Sequence, residues 1–179
     1  ITIEDLFYNV VNRRKALKNP TEEYQKVVDV VGKYSVRFPH VSFTCKRHGE
    51  NAADVRTAVR STSLDNIRNV YGAAIARELL EIEAEDETLK VKVSGLISNG
   101  NHAAKRMVMI LFINGRLVES SPIRRCVEQV YATYLPKGSH PFLYMSLAFP
   151  PEHLDVNVHP TKQEVRFMDE EQVVDFVQD

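Results

Sequence analysis

The chain has 179 residues, 44% of them hydrophobic and 26% charged, with a formal net charge of −1. That length suits one domain with an appendage, and the composition is ordinary for a globular protein. The charge balance excludes a globally basic nucleic-acid binder while leaving room for a local basic patch. Two cysteines, Cys45 and Cys126, exclude a disulfide framework, point to a reducing compartment and are expected as small core residues. No apolar run is long enough to span a bilayer, and no signal peptide is expected. The chain begins with Ile1 rather than Met, so a piece of a longer protein is expected.

Ile1 to Tyr8 reads as a short strand with Ile1, Ile3 and either Leu6 or Phe7 turned inward. Arg13, Arg14 and Lys15 follow as a charged cluster, which is most often a solvated helix face. Pro20 and Thr21 open a strong helix with Glu22 and Glu23 in its first turn, and Pro39 ends the segment. Its apolar stripe is expected to be Tyr24, Val27, Val28 and Val31. Val41 to Cys45 and Ala53 to Val59 read as a hairpin around the turn at His48 to Asn51. Ser63 is expected to cap a helix carrying Leu64, Ile67 and Val70, stopped at Gly72. Leu79 to Glu83 and Leu89 to Ile97 read as strands around a solvated acidic turn, Glu85 to Glu87.

Val108 to Ile113 is apolar at every position, which marks a strand covered on both faces. Asn114-Gly115 turns the chain. Ser121-Pro122 starts a helix with Ile123, Val127, Val130, Tyr131 and Tyr134 on one face. Pro141 to Phe149 is the next strand, with Leu143, Met145, Leu147 and Phe149 on one side. Val156 and Val158 alternate with Asp155, Asn157 and His159, the period of a half-buried strand that must stop at Pro160. Val165 and Phe167 resume the alternation, and Glu170 to Val177 forms a closing helix. The order gives an α+β fold, one mixed sheet with helices on one face.

Lys162 therefore sits at the tip of a short connection with rigid structure on both sides. An ammonium held at a nearly fixed point suits capture of a phosphate oxygen. On spacing alone, a solvated loop-tip lysine is the commoner case.

Val156 to Phe167, Val-Asn-Val-His-Pro-Thr-Lys-Gln-Glu-Val-Arg-Phe, resembles the signature VNVHPxKxEVRF of MutL-type DNA mismatch-repair proteins. Two further blocks agree: Leu6-Phe7-Tyr8-Asn9 with Arg13-Arg14-Lys15-Ala16-Leu17 is similar to LFYNxxxRRKxL, and Phe112 to Arg116 is similar to FVNxR. Val10-Val11 stands where bacterial members place Thr-Pro, which favours a eukaryotic member, the subunit common to the MutL heterodimers. The resemblance implies a division of the chain. Residues 1–38 would be the C-terminal tail of a GHKL ATPase domain with its connecting helix, a class shared with type II topoisomerases and heat-shock-protein-90 chaperones. Residues 39–179 would be a transducer domain with the ribosomal protein S5 domain 2-like fold.

In that class the lysine matching Lys162 reaches from the second domain into the nucleotide pocket of the first, so Lys162 is the expected catalytic cation toward the ATP γ-phosphate. His159 and Pro160 are expected to aim its loop. ATP and magnesium belong to the parent protein: no Asp-x-Gly-x-Gly block occurs, and the seven glycines are not clustered to cradle a phosphate. The fragment alone is expected to be inactive and to hold no cofactor or metal. The resemblance also implies weak, non-specific binding of double-stranded DNA along a basic groove, for which Lys105, Arg106, Arg116, Arg124 and Arg125 are the candidates. Glu119, Ser120 and Ser121 stand where bacterial members carry a further basic residue. The implied partners are a second MutL-homologue subunit and a MutS-type mismatch-recognition protein, with a nuclear location and no membrane. Two alternatives stay open: a transducer domain of another GHKL ATPase, or a non-catalytic interaction module in which Lys162 plays no part.

Overall fold

The structure, a computed structural model, describes residues 1–17, 19–155 and 166–179, the side chain of Arg166 excepted. In chain order these form α1 (Val11–Ala16), α2 (Pro20–Arg37), β1 (Thr44–Cys45), β2 (Val55–Arg56), α3 (Ser63–Tyr71), α4 (Ala73–Arg77), β3 (Leu79–Asp86), β4 (Val91–Ser98), β5 (Val108–Ile113), β6 (Arg116–Val118), α5 (Ser121–Tyr131), β7 (Phe142–Ala148), β8 (Leu154–Asp155), β9 (Arg166–Phe167) and α6 (Glu170–Gln178). Five strands make one sheet in the order β3-β4-β7-β5-β6. Only β5 and β7 run parallel, joined through β6 and α5; the remaining pairs are antiparallel. The expected α+β class and mixed sheet are therefore present.

Each face of the sheet has its own core. On one, Ile123 and Val127 of α5 and Val173 of α6 pack over Val91, Val93, Leu111, Ile113, Leu143, Met145 and Leu147. On the other, Val36 of α2 and Ile67 of α3 pack over Leu96, Ile110, Phe112, Phe142 and Tyr144. The helices thus divide between the two faces instead of gathering on one. The reason is legible in β5, where successive side chains point opposite ways: Ile110, Leu111, Phe112 and Ile113 are all buried, so both sides need cover.

The glycine in β4 is there for the backbone. A Cβ on Gly95 would lie 2.1 Å from the Tyr144 carbonyl oxygen of β7, so no other residue permits that approach.

The second face is locked by helix ends. The last carbonyls of α2 have no partner inside the helix, and α3 supplies two: Asn66 Nδ2 donates to Ser35 O at 2.7 Å, and Ser63 Oγ to Val36 O at 2.8 Å. Gly32 lets the helices close, since a Cβ there would meet Val70 Cγ1 at 2.9 Å.

Several local expectations change. Ile1 to Tyr8 forms no strand; it holds a turn with Tyr8 N donating to Asp5 O, and Ile1, Ile3, Leu6 and Tyr8 are exposed. A strand needs a ladder partner, and none is present for it among the described residues. The small hairpin is reduced to Thr44–Cys45 against Val55–Arg56. Thr62, not Ser63, caps α3, in a capping box with Asp65. In α2 the covered side runs through Val28, Gly32, Ser35 and Val36, leaving Val27 exposed. In α5 Cys126 is buried, whereas Tyr134 lies beyond the helix end and is exposed.

Candidate functional site

The described chain on either side of residues 156–165 is tied to the block Phe112-Ile113-Asn114-Gly115-Arg116. Asn114 sits in the left-handed region at φ 47° with Gly115 following at 76°, the backbone of a tight hairpin turn. Its side chain grips Phe149 from both sides. Asn114 Nδ2 donates to Phe149 O at 2.9 Å, and Phe149 N donates to Asn114 Oδ1 at 2.8 Å. Asn114 N also donates to Leu147 O at 2.9 Å. One side chain therefore turns the β5–β6 hairpin and fixes the end of β7.

Phe149 in turn stacks on Phe167, with ring centroids 5.7 Å apart and planes 17° from parallel. Both rings are buried in the first core. After the 3-10 turn at Pro151–His153, β8 pairs antiparallel with β9, Leu154 opposite Phe167 and Asp155 opposite Arg166. Met168 N donates to His153 O at 3.0 Å, closing the far side of this ladder. The ten residues 156–165 thus leave from and return to a pair of strand ends bolted to the core. His159, Pro160 and Lys162 fall within them, outside the described residues.

The five basic candidates are all exposed, and none has an ion-pair partner among the described residues. Arg116 and Arg124 share a groove of about 790 Å³ between α2 and the start of α5. Arg124 Nη1 lies 3.6 Å from Met107 Sδ, which sets it beside the loop carrying Lys105 and Arg106. Arg125 does not line the groove. Its opposite wall brings Lys26 and Lys33 of α2, which sequence reasoning missed; seven apart, they share a helix face, but only the tertiary fold sets that face against Arg116. Both are answered within the helix, Lys26 by Glu23 at 2.8 Å and Lys33 by Asp29 at 2.7 Å. The Glu23 hydrogen bond holds the Lys26 ammonium above its usual pKa. Among the described residues the cations of the groove without an ion-pair partner are Arg116 and Arg124, and Glu119 lines the same groove.

Nothing in the described residues has the form of a nucleotide cradle. Gly32 and Gly95 face neighbouring elements closely, and Gly49, Gly72, Gly115 and Gly138 are isolated positive-φ turns instead of a phosphate loop. Among the described residues no three His, Cys, Asp or Glu gather as a metal site. No helix among them is long and apolar enough to cross a membrane.

Comparisons with known proteins agree on one family. Residues 67–179 match the family model described as DNA mismatch repair protein, C-terminal domain. The chain is 42% identical to the putative MutL protein homolog 1 of Schizosaccharomyces pombe, over 97% of its length and 26% of that protein. It is 37% identical to the DNA mismatch repair protein Mlh1 of Dictyostelium discoideum, over 99% of its length and 23% of that protein. The chain thus spans about a quarter of these relatives. Its fold matches a crystal structure of the N-terminal domain of a DNA repair protein at TM-score 0.78 and 24% identity, covering 96% of this chain and 56% of that one. It also matches the Aquifex aeolicus MutL ATPase domain complexed with ADP at TM-score 0.61 and 21% identity, covering 83% and 52%.

Proposed function

Because this chain belongs to the MutL-type DNA mismatch-repair family, we propose that it is the transducer region of a mismatch-repair ATPase, with Lys162 as the cation it delivers to a nucleotide held by a neighbouring domain. In this reading residues 1–38 are the tail and joint of the ATPase domain, and residues 39–179 are the transducer. The observation that carries it is the anchored β8–β9 ladder: the segment bearing Lys162 springs from strand ends whose aromatic neighbours, Phe149 and Phe167, are locked in the core. A cation on a rigid base acts by position. It stabilises charge developing on the terminal phosphoryl group without reorganising during the reaction.

The same contact makes closure depend on the γ-phosphate, which ADP lacks. A ligand shifts a conformational equilibrium only by its differential affinity for the two states, and Lys162 supplies that difference. Helix α2 is suited to carry the motion, since its end is fixed to the sheet through Val36 and to α3 through Asn66 and Ser63. The test is closure of the full-length protein, followed by hydrogen exchange with a non-hydrolysable ATP analogue or ADP. Wild type should close only with the ATP analogue and Lys162→Ala with neither. Equal closure of the two proteins with the ATP analogue defeats the reading.

A second role rests on the groove. Arg116 and Arg124 face one channel with no ion-pair partner among the described residues, which favours contact with the phosphates of double-stranded DNA, weak and independent of sequence. Lys105 and Arg106, on the loop beside Arg124, extend that surface, while Arg125 stands outside the groove. Magnesium with the nucleotide, a second MutL-homologue subunit, a MutS-type protein and a nuclear location complete this reading of the whole protein.

A further inference from the structure

One edge of the sheet is β3, matched in length by its neighbour β4. β3, eight residues from Leu79 to Asp86, pairs with β4 along one side and with nothing on the other among the described residues. At about 3.4 Å per residue that leaves roughly 27 Å of edge. Every second residue directs its N–H and C=O outward, a ready template for another strand.

The two faces of this edge differ. One carries Glu81, Glu83 and Glu85 in a row; Lys92 of β4 answers Glu85 at 2.7 Å, while Glu81 and Glu83 have no ion-pair partner among the described residues. The other carries Leu80, Ile82 and Ala84. Ile82 and Ala84 border a groove of about 580 Å³ whose far wall includes Val130, Tyr131 and Tyr134 of α5 and the turn after it. Leu80 and Tyr134 are large apolar side chains left 54% and 71% exposed.

From this juxtaposition we infer that β3 is a docking edge for an extended segment of another protein chain in which basic and apolar side chains alternate, added to the sheet as a sixth strand. Backbone hydrogen bonds to β3 supply the affinity and the two faces supply the selection. The basic side chains of the segment lie beside Glu81 and Glu83, and its apolar ones beside Leu80 and Ile82 over the groove. A second copy of this chain is a poor occupant, because pairing two β3 edges brings the glutamate rows together, and like charges across a ladder oppose each other.

The probe is an acetylated, amidated octapeptide of alternating Lys and Val, with a Glu-Val octapeptide as its opposite. In the full-length protein the Lys-Val peptide should bind saturably with Kd below about 1 mM and slow amide exchange within Leu79–Asp86, an effect weakened by salt; the Glu-Val peptide should do neither. Reversing both free acids, Glu81→Lys with Glu83→Lys, changes two exposed contacts and should invert the preference by about tenfold in each direction. Circular dichroism confirms that the variant is folded. The inference is overturned if the Lys-Val peptide protects no amide in β3, if reversal leaves the preference unchanged, or if those amides are already protected by the protein's own chain without peptide.

Discussion

Asn114 and Phe149, at the ends of two different strands, are joined by a reciprocal pair of hydrogen bonds from one side chain to one backbone unit. That links the Phe112 to Arg116 block to the chain entering β8, the last described strand before residues 156–165. Asn114→Ala should cost about 1–3 kcal/mol for the two bonds, read as a fall in melting temperature. It should also speed amide exchange at Phe149. Asn114→Asp keeps the acceptor for Phe149 N–H and should fall between alanine and wild type. Equal stability of all three would show that the bracket holds nothing.

The two packed glycines should respond differently. Gly95→Ala drives a methyl into the Tyr144 carbonyl, which the sheet cannot move, and should destabilise by about 3 kcal/mol. Gly32→Ala meets only a Val70 methyl, and the intrinsic helix preference for alanine of about 0.5–1 kcal/mol offsets part of the clash. Denaturant titration of both variants should rank Gly95→Ala clearly lower; the reverse order would contradict the packing described.

The cap of α3 predicts a pH dependence. Hydrogen bonds from Thr62, backbone first, and the Arg68 contact hold the Asp65 carboxyl below its ordinary pKa of 3.8. Its contribution is thus fully present above that value and is lost as pH falls through the lower folded-state pKa. Thermal melts of wild type and Asp65→Asn should therefore differ near neutrality and converge in acid. A gap unchanged down to about pH 2 would exclude the linkage.

For DNA, Arg116→Glu with Arg124→Glu should weaken duplex binding of the full-length protein at every sequence alike. If each arginine neutralises one phosphate, the slope of log K against log salt should flatten by about 2. An unchanged slope would remove the groove from the DNA surface.

Much of this fold is legible locally. The apolar run Val108 to Ile113, the Asn114-Gly115 turn and the Ser121-Pro122 helix start all appear where residue type requires them. What stays hidden depends on contacts distant in sequence. Val27 and Val28 both fit a helical stripe beginning at Tyr24, and the contacts of Gly32 with Val70 and of Val36 with the sheet set which side of α2 faces inward. Thr62 and Ser63 are both competent caps, and Ser63 is instead used on Val36 of α2. Lys26 and Lys33 carry no signal that they will face Arg116 across a groove. Lys162 stands out by its motif alone, while the stack of Phe149 on Phe167 beside the β8–β9 ladder is visible only in three dimensions.

The most direct measurement is steady-state ATP hydrolysis by full-length Lys162→Ala, with nucleotide affinity measured alongside. Loss of a positioned transition-state cation should lower turnover about 10²–10³-fold while nucleotide still binds. Turnover equal to wild type would show that the lysine takes no part in the reaction.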